Sequence, residues 1–209
     1  MQILVLSGSR NSQGKTAKAI TSICKGITDA GGKSEVIFLI EQNLERCRQC
    51  NDDGWGICRN EQRCVIEDDF ASIVGKIKAA DVLVFATPVY FGDLSESMRR
   101  FLDRYRRTRF ATVFRRPLAT NIPNQLPVRQ GGTPSIGYCY AGGSGNGTIS
   151  CLASLERALL TSGFDVVDMI PARRQNLEMK LPLLESVGRW LVTKPASGPW
   201  PPKPQKQYL

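Results

Sequence analysis

The sequence of 209 residues contains no histidine. This absence excludes Ser-His-Asp triads, Cys-His dyads and metal sites built on imidazole. Long apolar runs are also absent: the longest uncharged stretch, 130–155, is rich in Gly, Ser and Thr, whereas a membrane span needs about 20 predominantly apolar residues. The amino terminus has no basic segment followed by an apolar run of signal-peptide length. We therefore expect a cytoplasmic protein with no membrane span.

The composition is that of a globular chain, with 42% hydrophobic and 22% charged residues. Lys and Arg number 28 against 19 Asp and Glu, and the net charge of +9 favours an anionic partner. Nucleotides, nucleic acids and acidic proteins all fit that description. Seven cysteines, an odd number, in a chain without an export signal indicate thiols, a metal or a redox site rather than a disulfide framework.

Short apolar runs alternate with stretches of helical period, which predicts an open, doubly wound α/β sheet. The predicted strands cover 3–6, 35–40, 82–86, 135–140 and 166–170. The predicted helices cover 16–30, a segment capped by Asp68 and Asp69, 95–107, 148–162 and 181–192. We expect one domain over 1–193, with a cysteine-bearing insertion at about 44–66. The segment 194–209 contains five prolines and three lysines and is predicted to be an extended tail.

The segment 7–16, which joins the first strand to the first helix, is rich in hydroxyl groups and glycine. A loop that ends at a helix N-terminus favours phosphate binding. Two alternatives are a polar turn capped by Thr16 and a Walker A loop. Five residues separate Gly8 from Gly14 where a Walker A loop has four, and Glu41 would have to serve magnesium.

Two further segments follow predicted strands, and both suit a flat heterocycle. Thr87–Gly92 is predicted to be a proline-fixed turn that presents Tyr90 and Phe91. Ala141–Gly147 contains four glycines, which would let backbone approach the polar edge of a ring. In open α/β sheets such loops meet at the carboxyl ends of the strands.

Together these motifs closely resemble the NADPH-dependent FMN reductase and iron-sulfur flavoprotein branch of the flavodoxin-like superfamily. The resemblance covers about residues 1–170 and rests on Ser9-Arg10, Gly14–Ala17, Cys64–Asp69, Ala80-Asp81, Ala86–Gly92 and Met98–Arg104. It implies a five-stranded parallel sheet in the order 2-1-3-4-5, bound FMN, NAD(P)H as co-substrate, and a homodimer or homotetramer. The FMN phosphate would lie at Ser9, Arg10, Ser12, Gly14, Lys15 and Thr16. The ring would lie against Pro88, Val89, Tyr90, Phe91 and Gly92, with Gly142, Gly143 and Ser144 at its pyrimidine edge.

The cysteine spacing departs from that resemblance, because iron-sulfur flavoproteins of this type have a compact run with short gaps. Here the order is Cys47-x2-Cys50-x7-Cys58-x5-Cys64. Four thiolates within eighteen residues suit a 4Fe-4S cluster or a tetrahedral zinc. Free structural cysteines are the third possibility.

The sequence therefore predicts an FMN-dependent oxidoreductase that takes hydride from NAD(P)H and reduces a small acceptor such as a quinone, flavin or metal ion. An alternative is an FMN and iron-sulfur electron carrier between redox proteins. The stretch Arg99–Arg116 holds eight arginines and one acid. It is typical of a solvated face, but could also bind an anion or an acidic partner. We expect no nucleic-acid binding, since nothing resembling base readout accompanies these charges.

Overall fold

A computed structural model describes residues 1–109 and 132–196 of the chain. Its strands are β1 (Gln2–Ser7), β2 (Lys33–Phe38), β3 (Val82–Tyr90), β4 (Asp93–Leu94), β5 (Pro134–Ala141) and β6 (Asp165–Arg173). Its helices are α1 (Lys15–Asp29), α2 (Cys58–Glu61), α3 (Phe70–Ala79), α4 (Glu96–Thr108), α5 (Thr148–Thr161) and α6 (Leu177–Ala196), with 3-10 turns at Leu39–Glu41 and Arg174–Asn176.

Five of the strands form a parallel sheet in the order β2-β1-β3-β5-β6, and the two-residue β4 pairs antiparallel with the end of β3. Counted without β4, this is the predicted order 2-1-3-4-5, and the α/β flavodoxin-like prediction is confirmed. Helices cover both faces, which explains why the central strands are apolar without interruption.

Alternate residues of β1 point to opposite faces of the sheet and belong to two cores. Ile3 and Val5 pack with buried residues of α1 and α6, whereas Leu4 and Leu6 pack with those of α3, α4 and α5. The α1 and α6 backbones touch, because a Cβ on Gly26 would lie 1.9 Å from the Glu185 carbonyl oxygen. No helix in the described ranges has the length and apolarity that a membrane crossing requires.

Several boundaries differ from the sequence prediction, those of β3 and α6 by four residues. Strand β3 continues past Ala86 to Tyr90, and Pro88 lies within it. The pairing with β1 ends at Ala86 and the pairing with β4 begins at Val89, so among the described strands Pro88 is paired with β5 alone, and a proline costs no ladder hydrogen bond on its other side. Helix α6 begins four residues before the predicted Leu181 and continues to Ala196, three residues into the predicted tail. The rest of that tail lies outside the described residues.

Candidate functional site

The winding direction of the chain reverses between β1 and β3, and three loops lie at the carboxyl ends of adjacent strands there. Ser7 pairs with Ala86 in the register of β1 and β3, and Pro88 pairs with Tyr140 in that of β3 and β5. We call the three segments the first loop (7–16), the hairpin loop (87–92) and the glycine loop (141–147). Ligands of open α/β sheets bind at this kind of reversal point.

The first loop is an ordered turn that leads into α1. The Asn11 carbonyl oxygen accepts from the Gly14 N–H, and the Asn11 side chain accepts from the Gln13 N–H. The Ser9 hydroxyl donates to the Asn11 carbonyl, so this buried side chain holds the turn itself. Thr16 is also buried. The predicted phosphate residues that face solvent are Arg10, Ser12 and Lys15, with Gly14 half-buried at the N-cap of α1.

Close packing fixes the first loop against α4. The Gly8 N–H donates to the Ala86 carbonyl at 2.8 Å, and the Ser97 hydroxyl donates to the Gly8 carbonyl at 3.1 Å. A Cβ on Gly8 would lie 2.3 Å from the Ser95 hydroxyl oxygen. Glycine at position 8 is therefore a packing requirement of the site, which explains its place in the motif better than a Walker A loop does.

The hairpin loop is more regular than predicted. Thr87, Pro88, Val89 and Tyr90 continue β3, and the turn into β4 consists of Phe91 and Gly92 alone. The expectation of a proline-fixed turn over Thr87–Gly92 is wrong, because Val89 and Tyr90 find antiparallel partners in Leu94 and Asp93.

Phe91 occupies the left-handed region, with φ at +52°, and its side chain is fully exposed. A non-glycine residue there costs roughly 1–2 kcal/mol, and strain of this kind is concentrated at functional sites. Tyr90 beside it is partly exposed, with the Arg10 guanidinium 5.7 Å from its ring centroid. Arg10 also pairs with Glu96 at 3.4 Å. These residues line an open cavity whose wall consists of Arg10, Tyr90, Phe91, Asp93, Leu94, Glu96 and Arg99.

The glycine loop contacts the hairpin loop directly. A Cβ on Gly147 would lie 2.6 Å from Gly92 Cα, and the Ser150 hydroxyl donates to the Gly92 carbonyl at 2.7 Å. Gly142, Gly143 and Ser144 are exposed. The structure thus brings the two predicted ring-binding segments together.

The four clustered cysteines line one cavity, which we call the cysteine cavity. Cys47, Cys50, Cys58 and Cys64 share its wall with residues of the insertion and with Arg104, Arg107 and Thr108 of α4. All four are free thiols. Within the described residues, no three His, Cys, Asp or Glu side chains are close enough to hold a metal ion. The structure therefore gathers the thiols around a common space without bringing them into ligand geometry.

The two ends of the insertion are fastened together at its base. The Asn43 N–H donates to the Asp69 carboxylate at 2.7 Å, and the Glu45 N–H donates to Asp68 at 2.8 Å. The sequence predicted that Asp68 and Asp69 would cap α3. Of the two, Asp68 accepts from the Phe70 N–H at the start of the helix, whereas the Asp69 side chain makes no cap hydrogen bond. Burial would raise the pKa of Asp68, but hydrogen bonds from Arg104 and from the Glu45 and Phe70 N–H groups outweigh burial and lower the pKa.

Helix α4 holds the insertion through three arginines that sequence reasoning left unassigned. Arg100 donates to the Leu44 carbonyl, Arg104 to the Glu45 carbonyl and Arg107 to the Gly54 carbonyl. The spacing of these arginines, i, i+4 and i+7, places them on one helix face. That periodicity was visible in the sequence and indicates an internal contact rather than a solvated face. The part of the arginine stretch from 110 to 116 lies outside the described residues.

The comparisons of this chain with known proteins agree with one another on its family. A model of the family described as NADPH-dependent FMN reductase matches residues 1–172. An iron-sulfur flavoprotein of Methanocaldococcus jannaschii is 31% identical over 143 residues, which is 68% of this chain and 65% of that protein. An iron-sulfur flavoprotein of Methanosarcina thermophila is 31% identical over 53% of this chain and 57% of that protein. The chain thus spans between about half and two thirds of the length of these two relatives.

Solved structures support the same fold. NAD(P)H:quinone oxidoreductase from Methanothermobacter marburgensis superposes with a TM-score of 0.63 at 19% identity, covering 91% of this chain and 96% of that one. RosB with bound 8-demethyl-8-formylriboflavin-5'-phosphate superposes with a TM-score of 0.66 at 14% identity, covering 96% of this chain and 82% of that one. At such identities the likeness establishes the fold.

Proposed function

The chain belongs to the NADPH-dependent FMN reductase family, and we propose that it binds FMN, takes hydride from NAD(P)H and passes electrons to a small acceptor such as a quinone, free flavin or metal ion. The observation that carries this proposal is the meeting of the first loop, the hairpin loop and the glycine loop at the reversal point of the sheet. A cytoplasmic homodimer or homotetramer is part of the same proposal.

The first loop suits the phosphate of FMN. Helix α1 begins at Lys15 with no acidic residue in its first turn, and the partial positive charge of a helix N-terminus favours an anion. Arg10 and Lys15 add exposed positive charge beside it. We assign phosphate binding to Ser9, Arg10, Ser12, Gly14, Lys15 and Thr16, where Ser9 and Thr16 shape the loop from within.

The hairpin and glycine loops suit the ring. Pro88 and Val89 would form the rigid strand end beneath it, Tyr90, Phe91 and Gly92 its border, and Gly142, Gly143 and Ser144 the backbone at its pyrimidine edge. Bound FMN supplies hydride acceptance and electron transfer, while the protein positions the cofactor and its substrates. Because FMN itself accepts the hydride, the protein needs no general base for that step, which agrees with a chain that has no histidine.

A second candidate function, electron transfer through an iron-sulfur centre, is favoured by the cysteine cavity. Four thiols around one space offer the soft ligand set of a 4Fe-4S cluster. Two curated relatives carry the name iron-sulfur flavoprotein. Binding would require the thiols to move inward, in a segment that is held at its base by Asp68 and Asp69 and farther along by Arg107 at the Gly54 carbonyl.

Protein purified without oxygen tests both candidates. We expect a flavin spectrum and one FMN per chain on denaturation; release of FAD, or of no flavin, would contradict the first proposal. Four iron and four sulfide per chain would support the cluster, whereas zinc without iron would make the cysteine site structural.

A charge introduced into the first loop tests the phosphate assignment. Ser12→Asp places a carboxylate at an exposed position where the phosphate would bind, and we expect FMN affinity to fall about tenfold or more, or roughly 1.4 kcal/mol. Ser186→Asp, at an exposed position on α6, adds the same charge outside the three loops and should leave affinity unchanged. Equal affinities in the two variants would show that the loop does not hold the phosphate.

A further inference from the structure

Arg104 is the most buried charged residue on the wall of the cysteine cavity. It is 2% exposed and lines the cavity together with all four clustered cysteines. Its guanidinium carbon lies 4.2 Å from the centre of the Phe70 ring, so one face of the group is covered by an aromatic side chain. A full charge at such a site acts through a medium of low polarity, where electrostatic effects are stronger than in water.

The terminal nitrogens of this guanidinium are already engaged. Nη1 donates to Asp68 at 2.6 Å and to the Glu45 carbonyl at 3.0 Å, and Nη2 donates to Asp68 at 3.0 Å. Nε is buried and finds no hydrogen-bond acceptor among residues 1–109 and 132–196. A buried donor without a partner is unfavourable by roughly 1–3 kcal/mol, and such a group calls for an explanation.

Cys64 is a second neighbour of this guanidinium, beside Asp68, and Cys64 and Arg104 line the same cavity wall. Burial opposes the charge of Arg104, but the Asp68 carboxylate and the Cys64 thiol both favour it and raise the pKa of Arg104. Asp68 accepts from both terminal nitrogens, so Nε is the one guanidinium nitrogen that has no acceptor among the described residues. Hydrogen bonds to ligand sulfurs and nearby charge are two of the factors that set the reduction potential of a cluster.

We propose that Arg104 is a positioning residue for a cluster in the cysteine cavity, where its buried charge raises the reduction potential and its Nε–H is available to a ligand sulfur. Reduction adds one negative charge to the cluster, and a buried cation stabilises the reduced form more than the oxidised form. Asp68 fixes the orientation of Arg104 and thereby maintains this effect. The inference rests on the second candidate function and concerns the potential of the centre rather than its existence.

The test is a redox titration of the cluster, followed by its electron paramagnetic resonance signal, in variants purified without oxygen. The double variant Arg104→Gln with Asp68→Asn removes both charges, so neither remains buried without its partner. We expect the equilibrium constant for one-electron reduction to fall about tenfold, which equals 59 mV. Arg104→Lys keeps the charge but loses the Nε–H and the fork, and should shift the potential less, in the same direction.

Arg100→Gln is the matched control. Arg100 also anchors the insertion to α4, through the Leu44 carbonyl, but does not line the cavity. The reduction potential of the cluster in Arg100→Gln should equal that of the wild type. An equal shift in the Arg100 and Arg104 variants would overturn the proposal, since loosening of the insertion would then be the cause.

The other outcomes separate the two levels of the proposal. Unchanged potentials in the double variant and in Arg104→Lys, with iron retained, would overturn the role of Arg104 alone. If the double variant folds without iron, Arg104→Lys decides the question by itself. Wild-type protein without iron would overturn the centre, and with it the role of Arg104, while leaving the flavin proposal standing.

Discussion

Arg104 and Asp68 form a buried ion pair that joins α4 to the end of the insertion, with Nη1 and Oδ2 2.6 Å apart and each side chain 1% exposed. Other ion pairs of α4 are exposed, as is that between Arg106 and Asp103 at 4.0 Å. Burial determines how much each ion pair contributes to folding stability. Water screens an exposed pair, whereas a buried charge that loses its partner is not screened.

Arg104→Gln is therefore expected to lower the free energy of unfolding by about 3–5 kcal/mol, because it leaves the Asp68 carboxylate buried and unpaired. Arg106→Gln should cost about 0–1 kcal/mol. Adding Asp68→Asn to the Arg104 variant should restore part of the loss. Denaturant unfolding of the four proteins measures these differences, and equal stability of the Arg104 and Arg106 variants would contradict the structural account.

Acid should weaken the same attachment. The pKa of Asp68 is lower in the folded protein than in the unfolded chain. Its stabilising contribution is therefore full above the ordinary pKa of about 3.9 and declines as the pH falls through the lower folded value. We expect the stability difference between wild type and Asp68→Asn to be constant above about pH 5 and to shrink below about pH 4. A difference unchanged down to pH 2 would refute this linkage.

Gly147→Ala should separate the glycine loop from the hairpin loop. Gly147 has φ at +78° and lies against Gly92. Gly31 has φ at +80°, and nothing lies within 4 Å of the position that its Cβ would take, so Gly31→Ala carries the same backbone strain, roughly 1–2 kcal/mol, without a clash. We expect the Gly147 variant to lose more stability than the Gly31 variant, and FMN affinity to fall only in the Gly147 variant. Equal FMN affinities would argue against a ring site between these loops.

Replacing Phe91 should weaken substrate binding without lowering the stability of the fold. Phe91→Gly removes a strained φ and an exposed ring, so we expect the melting temperature to stay constant or rise while the KM for NAD(P)H or for the acceptor increases. Phe91→Asn, which tolerates the same backbone region, should behave similarly. A fall of several degrees in melting temperature would show that the ring supports the fold instead.

Cys139 and Cys151 should be chemically silent in the native protein. Their sulfurs lie 3.4 Å apart, and both residues are fully buried. The hydrogen bond with Cys151 and burial both raise the pKa of Cys139, and the thiolate is the reactive form. Alkylation followed by peptide mapping should find both cysteines unmodified until the protein is unfolded. Rapid native labelling of either residue would contradict this expectation.

The sequence predicted the sheet well because each central strand is a short apolar run with turn residues on both sides. It failed where a partner far along the chain decides the outcome. The turn predicted at Pro88 is strand because Pro88 pairs with Tyr140 of β5 and Tyr90 pairs with Asp93 of β4. The pairing of Arg104 with Asp68 joins residues 36 positions apart, so it could be recognised only once α4 was packed against the base of the insertion.

The same distinction between local sequence pattern and contacts of distant residues applies to the site residues. Gly8, Gly14 and the glycine loop could be found from local pattern, because their roles depend on backbone shape near strand ends. The role of Ser9 inside its own turn, and the exposure of Phe91 at a strained φ, depend on geometry that the residue types do not reveal.

The fastening of Asn43 and Glu45 to Asp69 and Asp68 has a consequence for how this chain can vary. Because the insertion begins and ends at this one clasp, its interior can lengthen, shorten or change its cysteine intervals without moving any strand. Because of the clasp, the insertion can change in length and cysteine spacing during evolution while the flavodoxin-like sheet and its helices stay the same. A graft between relatives with different cysteine intervals should accordingly be cut at residues 43 and 69.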